Sequence, residues 1–337
     1  MPDDLSQALL AVRRLVAVDA QQGSGAALPL AREELDRFPE LKTGVPSLTG
    51  TTTSTTRPRD RKSRDGRPRD GRPRDGRPRD RRSKDRLSAL AELAEVIGWI
   101  LFDAGHYRRA HTMNARALAL ADRSGDRWTA RLTLLNESML LTHTGHSAAS
   151  LTAAARVQGP RPLPARVSTL TLLREAHAKA QLGAYHDPLK LAEQAHSRFL
   201  DGVSRHDPPW AWWIDEPELL GHLGWIHARL HRWDQAIPLL HEASTAPGPS
   251  YRHLFAAKLL ATLTRARAWH DAEQVITQLA PRAAGFTSRR TTESLCATAH
   301  HLRDGARAPS PVREAAAHLL TELGYRPGSS RPSTSPP

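Results

Sequence analysis

Cysteine is nearly absent from this chain. Cys296 is the only one in 337 residues, so no intramolecular disulfide can form and a reducing compartment suits the protein. Its neighbours Leu295 and Ala297 predict a small core residue rather than a nucleophile. Aromatic residues are sparse at 5%, and Ala and Leu dominate the apolar set, a balance that favours helix over sheet. Long apolar runs are missing too. The best candidate, Leu87 to Phe102, carries Glu92 and Glu95 and falls short of the roughly 18 residues that span a bilayer. The opening Met1-Pro-Asp-Asp is acidic and no apolar core follows it, so no signal peptide is expected. These absences predict a cytoplasmic protein without membrane association.

Motifs of catalysis are missing as well. There is no Gly-rich phosphate loop, no Gly-x-Ser-x-Gly elbow and no His-Glu-x-x-His. Ser, His and Asp are plentiful, but a triad is defined by geometry rather than composition. His227 and His231 lie four apart, a spacing that can bind metal, yet no carboxylate or cysteine completes the set in sequence. His300 and His301 face different sides of a helix. The expectation is a protein that is not an enzyme and needs no cofactor or metal.

What is present is charge, and it is concentrated. Residues 57–86 hold 15 Lys/Arg against 6 Asp, a net +9 of the chain's total +13. This segment follows the Thr-rich stretch 51–56 and contains three identical Gly-Arg-Pro-Arg-Asp units, at 66, 71 and 76. With almost no apolar surface to bury, 44–86 is expected to be a disordered linker grown by tandem duplication. The alternative is an arm that binds nucleic acid non-specifically through Arg67, Arg69, Arg72, Arg74, Arg77 and Arg79. Against the alternative, Asp in every unit cancels part of the charge and no aromatics are interleaved for base stacking.

Outside the insert, one turn pattern recurs. Gly105-His-Tyr107-Arg-Arg-Ala110, Gly183-Ala-Tyr185 and His231-Arg-Trp233-Asp-Gln-Ala236 each separate two runs of helical apolar period. Gly145 marks a further turn, with Ser138 and Ser150 as its small residues, and Trp269 with Ala272 marks a fifth. Recurrence every few tens of residues predicts stacked helix pairs. We therefore expect an all-α fold, a right-handed superhelical array of antiparallel helix pairs with a disordered basic insert. Its parts would be an N-terminal helical hairpin at 1–43, the linker at 44–86, the repeat domain at 87–325 and a disordered tail at 326–337. Asp187-Pro188 is read as an N-cap and a first-turn proline, and Val312 to Leu323 as a closing helix.

The spacing of small, aromatic and small residues resembles that of tetratricopeptide-type repeats. More narrowly, Leu93 to Gly105, Asp207-Pro-Pro-Trp-Ala-Trp-Trp-Ile-Asp215, Ala268 to Glu273 and Val12 to Ala20 resemble the sensor region of actinomycete transcriptional regulators. Those regulators join an N-terminal helix-turn-helix of the phage-repressor type to such an array. The resemblance spans most of 9–325 outside the basic insert. Only eight residues precede Leu9, so it implies a sensor that has lost its DNA reader or receives one from a partner. DNA contact would then be indirect, or weak and through the basic segment.

The longest break, Asp201 to Pro209, leads into the densest cluster of unusual residues, Trp210, Trp212, Trp213, Asp215 and Glu216. Tryptophan offers large contact area at little entropy cost and is enriched at interface hot spots. With His222, and with Asn136 and Glu137 on the preceding helices, these residues are candidates to hold a peptide or protein ligand in a concave groove. The competing reading is that Trp212 and Trp213 cover the loop between the third and fourth units, and that Asn136 and Glu137 are solvated. Ligand binding that altered self-association would act through differential affinity for two states.

Overall fold

The computed structural model describes residues 4–42 and 78–324, and every regular element among them is helical. Helices α1 (Asp4–Gln22) and α2 (Ser24–Arg37) form the N-terminal hairpin. The array follows as α3 (Pro78–Asp103), α4 (Tyr107–Ser124), α5 (Arg127–His143), α6 (Ser147–Ala155), α7 (Ala165–Gln181) and α8 (His186–Leu200). It continues through α9 (Glu216–Arg229), α10 (Trp233–Thr245), α11 (His253–Ala266), α12 (Trp269–Leu279), α13 (Arg289–Asp304) and α14 (Ser310–Glu322). Short 3-10 turns occupy Pro209–Trp213, Ser250–Arg252 and Ala280–Gly285. The expected tail at 326–337 lies outside the described residues.

The turns inside the first five pairs of the array share one backbone solution. Gly105, Gly145 and Gly183 adopt φ of 82°, 84° and 84°, while His231 and Arg267 occupy the same left-handed region at 59°. The next residue then donates its N–H to a carbonyl five positions back, as in His106 to Leu101 (2.8 Å), Arg232 to His227 (3.0 Å) and Ala268 to Leu263 (3.0 Å). This is the bond that closes a helix whose last residue turns left-handed. Two positions after the left-handed residue stand Tyr107, Tyr185, Trp233 and Trp269, with Ser147 in the remaining unit. Five positions after it stand Ala110, Ser150, Pro188, Ala236 and Ala272, all buried. A small residue there lets the second helix lie close against the first.

The pairs are α3 with α4, α5 with α6, α7 with α8, α9 with α10, α11 with α12, and α13 with α14. Odd-numbered helices also touch one another in succession from α3 to α13, which makes them a continuous inner layer. The array then closes on itself. Asp103 at the end of α3 meets Arg290 at the start of α13 at 2.7 Å, both buried, and Ser288 Oγ donates to the same carboxylate at 2.8 Å. The ring of Trp99 meets Tyr251 edge-on at 5.8 Å, and its Nε1 donates to Asp19 at 2.9 Å. The N-terminal hairpin seals this seam. Ser250 Oγ donates to the carbonyl of Asp19 (2.9 Å) and Thr287 Oγ1 to that of Gln22 (2.8 Å).

Two local expectations are corrected. Helix α3 begins at Pro78, so 78–86 belongs to the folded array and not to a linker that runs to Arg86. Proline suits a first helical position, Asp80 suits the positive end of the dipole, and Lys and Arg are good helix formers. Arg86 is also anchored, by Glu40 and, at 3.4 Å, by Asp4. At α8 the helix starts at His186, two residues early, and Asp187 makes no cap. Its carboxylate accepts from Lys179 at 2.9 Å.

Candidate functional site

The residues singled out from the sequence separate into four groups. Trp210 and Trp213 are half-buried against Leu134, Leu135, Val167 and Leu170, so they cover α5 and α7, in the second and third units, rather than the third and fourth. Trp212 points away and is 64% exposed, and Glu216 beside it is exposed. Asp215 is the N-cap of α9, accepting from the N–H of Glu218 at 3.1 Å, and it pairs with Arg252. This explains why α9 begins where it does: an aspartate cap is followed by a proline in the first turn.

His222, Asn136 and Glu137 lie in the inner layer and are all buried. None is solvated. Asn136 donates to Glu95 of α3 at 2.5 Å, and Glu137 accepts from Asn114 of α4 at 2.7 Å and pairs with His111. His222 makes a four-membered cluster. Its Nε2 lies 3.1 Å from Glu218 and 3.2 Å from Arg174, and its Nδ1 lies 3.0 Å from Nε2 of His177. The tryptophans and His222 therefore do not share one groove.

The sequence reading missed the rest of this inner layer: Glu95, Asp103, Arg174, His177, Glu218, Lys258 and Arg290. A signal existed for some of them, which interrupt a helix run that is otherwise apolar or small. Ala256-Ala-Lys258-Leu-Leu and Leu172-Leu-Arg174-Glu are the clearest cases. Long-range bonds then knit the helices together. Arg174 Nε donates to the carbonyl of Leu135 at 3.3 Å, and Arg290 lies over the rings of Phe102 (4.4 Å) and Trp99 (5.0 Å).

Burial sets the protonation of this layer, because a charge removed from water is disfavoured unless it is paired. Glu95 is pushed up to about 8 by burial and by Glu92, with the bond from Asn136 opposing. Asp19 rises to about 7 through burial and the nearby Asp103, against the bond from Trp99. Lys258 falls to about 7, first through burial and then through Arg229, Arg290 and Arg265. The imidazoles of His177 and His222 are held below their usual range, again first by burial. His143 falls to about 3 through burial and then through Arg290, Lys258 and Arg229, yet the residue keeps contact with water. Its ring meets those of Phe102 at 5.5 Å and Tyr107 at 5.0 Å.

The alternative nucleic-acid residues Arg67, Arg69, Arg72, Arg74 and Arg77 lie outside the described residues. Of Arg79 only the backbone, in the first turn of α3, is described. No helix among the described residues is long and apolar enough to cross a membrane. No protein-family model matches the chain, and no curated protein matches it in sequence.

Proposed function

We propose that this protein is a non-catalytic helical-repeat scaffold that binds a protein or peptide, a regulatory sensor module of the kind its sequence resembles in transcriptional regulators. The observation that carries the reading is at the break between α8 and α9. Of the seven large apolar side chains left exposed among the described residues, Leu200, Val203 and Trp212 fall within thirteen residues there. Apolar surface concentrated on a loop that a rigid scaffold holds is a recognised mark of interaction sites. The neighbouring Trp210 and Trp213 are packed down and fix the loop, so Trp212 is presented at little entropy cost.

The test is capture of partners from native lysate by the wild type and by a Val203→Ser/Trp212→Ser variant, followed by reconstitution with the purified partner. A partner held by the wild type and at least tenfold weaker with the variant supports the reading. Equal affinity for both rules out this surface. The second reading, non-specific nucleic-acid binding, rests on the +9 charge of 57–86. It requires an affinity that falls steeply with salt and disappears when 57–77 is deleted, a deletion that spares α3.

A further inference from the structure

Three polar groups converge on one indole in the inner layer. Lys258 Nζ of α11 lies 4.7 Å from the Trp225 ring centroid, and the Arg229 guanidinium of α9 lies 5.5 Å from it. The His177 ring of α7 lies 4.7 Å away on its own centroid. Two of the three contain a buried atom that bonds to nothing among the described residues: Arg229 Nε and His177 Nδ1. The third is nearly as bare, since the hydrogen bond of Lys258 is a long one, 3.3 Å to Ser294 Oγ. Neither Lys258 nor Arg229 forms an ion pair among the described residues. The nearby Arg290 does, with Asp103.

This arrangement differs from the rest of the layer. At other points of the layer buried charges meet an opposite charge or a hydrogen-bond partner: Asp103 with Arg290, Glu218 with His222, Glu95 with Asn136. Around Trp225 two cations stand together without a carboxylate, and each depends on the indole face for its compensation. Trp225, Lys258 and Arg229 are half-buried, so each keeps part of its surface in water, while Arg229 Nε and His177 Nδ1 themselves are buried. We propose that Lys258, Arg229 and His177 form a binding site for a small oxyanion, the phosphoryl or carboxylate group of a ligand that enters the inner face. A guanidinium and an ammonium supply charge-assisted donors to such a group. The anion selects the His177 tautomer whose Nδ1 carries the proton, while Nε2 accepts from His222 Nδ1. This site is separate from the exposed loop that carries the scaffold reading and does not depend on it.

The experiment is calorimetric titration of the full chain with sodium phosphate and, separately, with sodium acetate, each at fixed ionic strength against chloride. The wild type is expected to bind one of these anions saturably, and which one binds assigns a phosphoryl or a carboxylate ligand. Lys258→Met and Arg229→Met should each weaken that binding at least tenfold. Lys258→Met should also raise the melting temperature in chloride, because it removes a half-buried charge that no carboxylate pairs. Arg229→Met, at the wetter end of α9, provides the reading if Lys258→Met does not fold. Absence of saturable binding of both anions by the wild type, or wild-type affinity in a folded variant, overturns the proposal.

Discussion

Asp103 and Arg290 are 187 positions apart in the chain, and their side chains meet at 2.7 Å, both out of contact with water. This pair joins the first helix of the array to the first helix of its last pair. A buried ion pair adds little over well-packed apolar residues, but removal of one partner strands the other charge. Asp103→Ala should therefore cost about 3–5 kcal/mol. The double replacement Asp103→Leu/Arg290→Met should recover much of that loss. Urea denaturation of the two single variants and the double variant gives the coupling, and strict additivity would show that the two ends are not joined through this pair.

Glu95 makes stability depend on pH in a stated direction. Its folded-state value, about 8, lies above the ordinary 4.5, so between these limits the folded protein holds a proton that the unfolded chain has lost. Its contribution is complete below pH 4.5 and declines as pH rises to about 8. Glu95→Gln keeps the acceptor for Asn136 and cannot ionise. It should match the wild type near pH 4, then exceed it increasingly, by at most about 1.4 kcal/mol per pH unit. Parallel melting curves for the two proteins from pH 4 to 9 check this.

The left-handed turn residues can be ranked. Gly183 has a φ of +84° and open space where a Cβ would stand, so Gly183→Ala should cost only the backbone strain, about 1–2 kcal/mol. At Gly105 the added Cβ would lie 2.6 Å from Cγ of Arg289, which must move and loosen its 2.8 Å bond to Glu293. Gly105→Ala should therefore be the more damaging of the two. His231→Gly relieves the same strain and should stabilise by about 0.5 kcal/mol after the entropy cost of glycine. Denaturant midpoints order the three variants.

Adjacent tryptophans should behave oppositely. Trp213 packs on the α5–α7 cluster, and Trp213→Ala should cost about 2 kcal/mol, less than a fully buried aromatic. Trp212 is exposed, and Trp212→Ser should leave stability within about 0.5 kcal/mol. Thermal melts separate the two. An equal loss from both would mean that the loop buries Trp212.

The helix pairs were legible in the sequence because each turn is a local event. The aromatic and the small residue sit at fixed offsets from the left-handed position, and no distant contact is needed to place them. His231 and Arg267 show that the offsets survive even where glycine is missing. The candidate site was much less legible. Tryptophan spacing marked the break at 201–216, but nothing in Trp210-Ala-Trp212-Trp213 indicates which ring faces outward, since that depends on where α5 and α7 lie. Asn136 and Glu137 look like surface positions until Glu95 and Asn114 are brought from other helices. The beginning of α3 was missed for a different reason: the Arg-rich composition suggested disorder, while Arg and Lys also propagate helix once Pro78 and Asp80 start it.

Closure of the array also has a meaning in time. Thr287 reaches the carbonyl of Gln22 across 265 residues of chain. At about 5–20 residues per second of synthesis, the N-terminal hairpin waits on the order of ten to fifty seconds for that partner. Through this interval each helix pair can form behind the last, while Trp99, Phe102 and the Asp103 carboxylate remain unsealed. The final joint is thus a single late event of high contact order, and a chain stopped before α13 would be helical yet open.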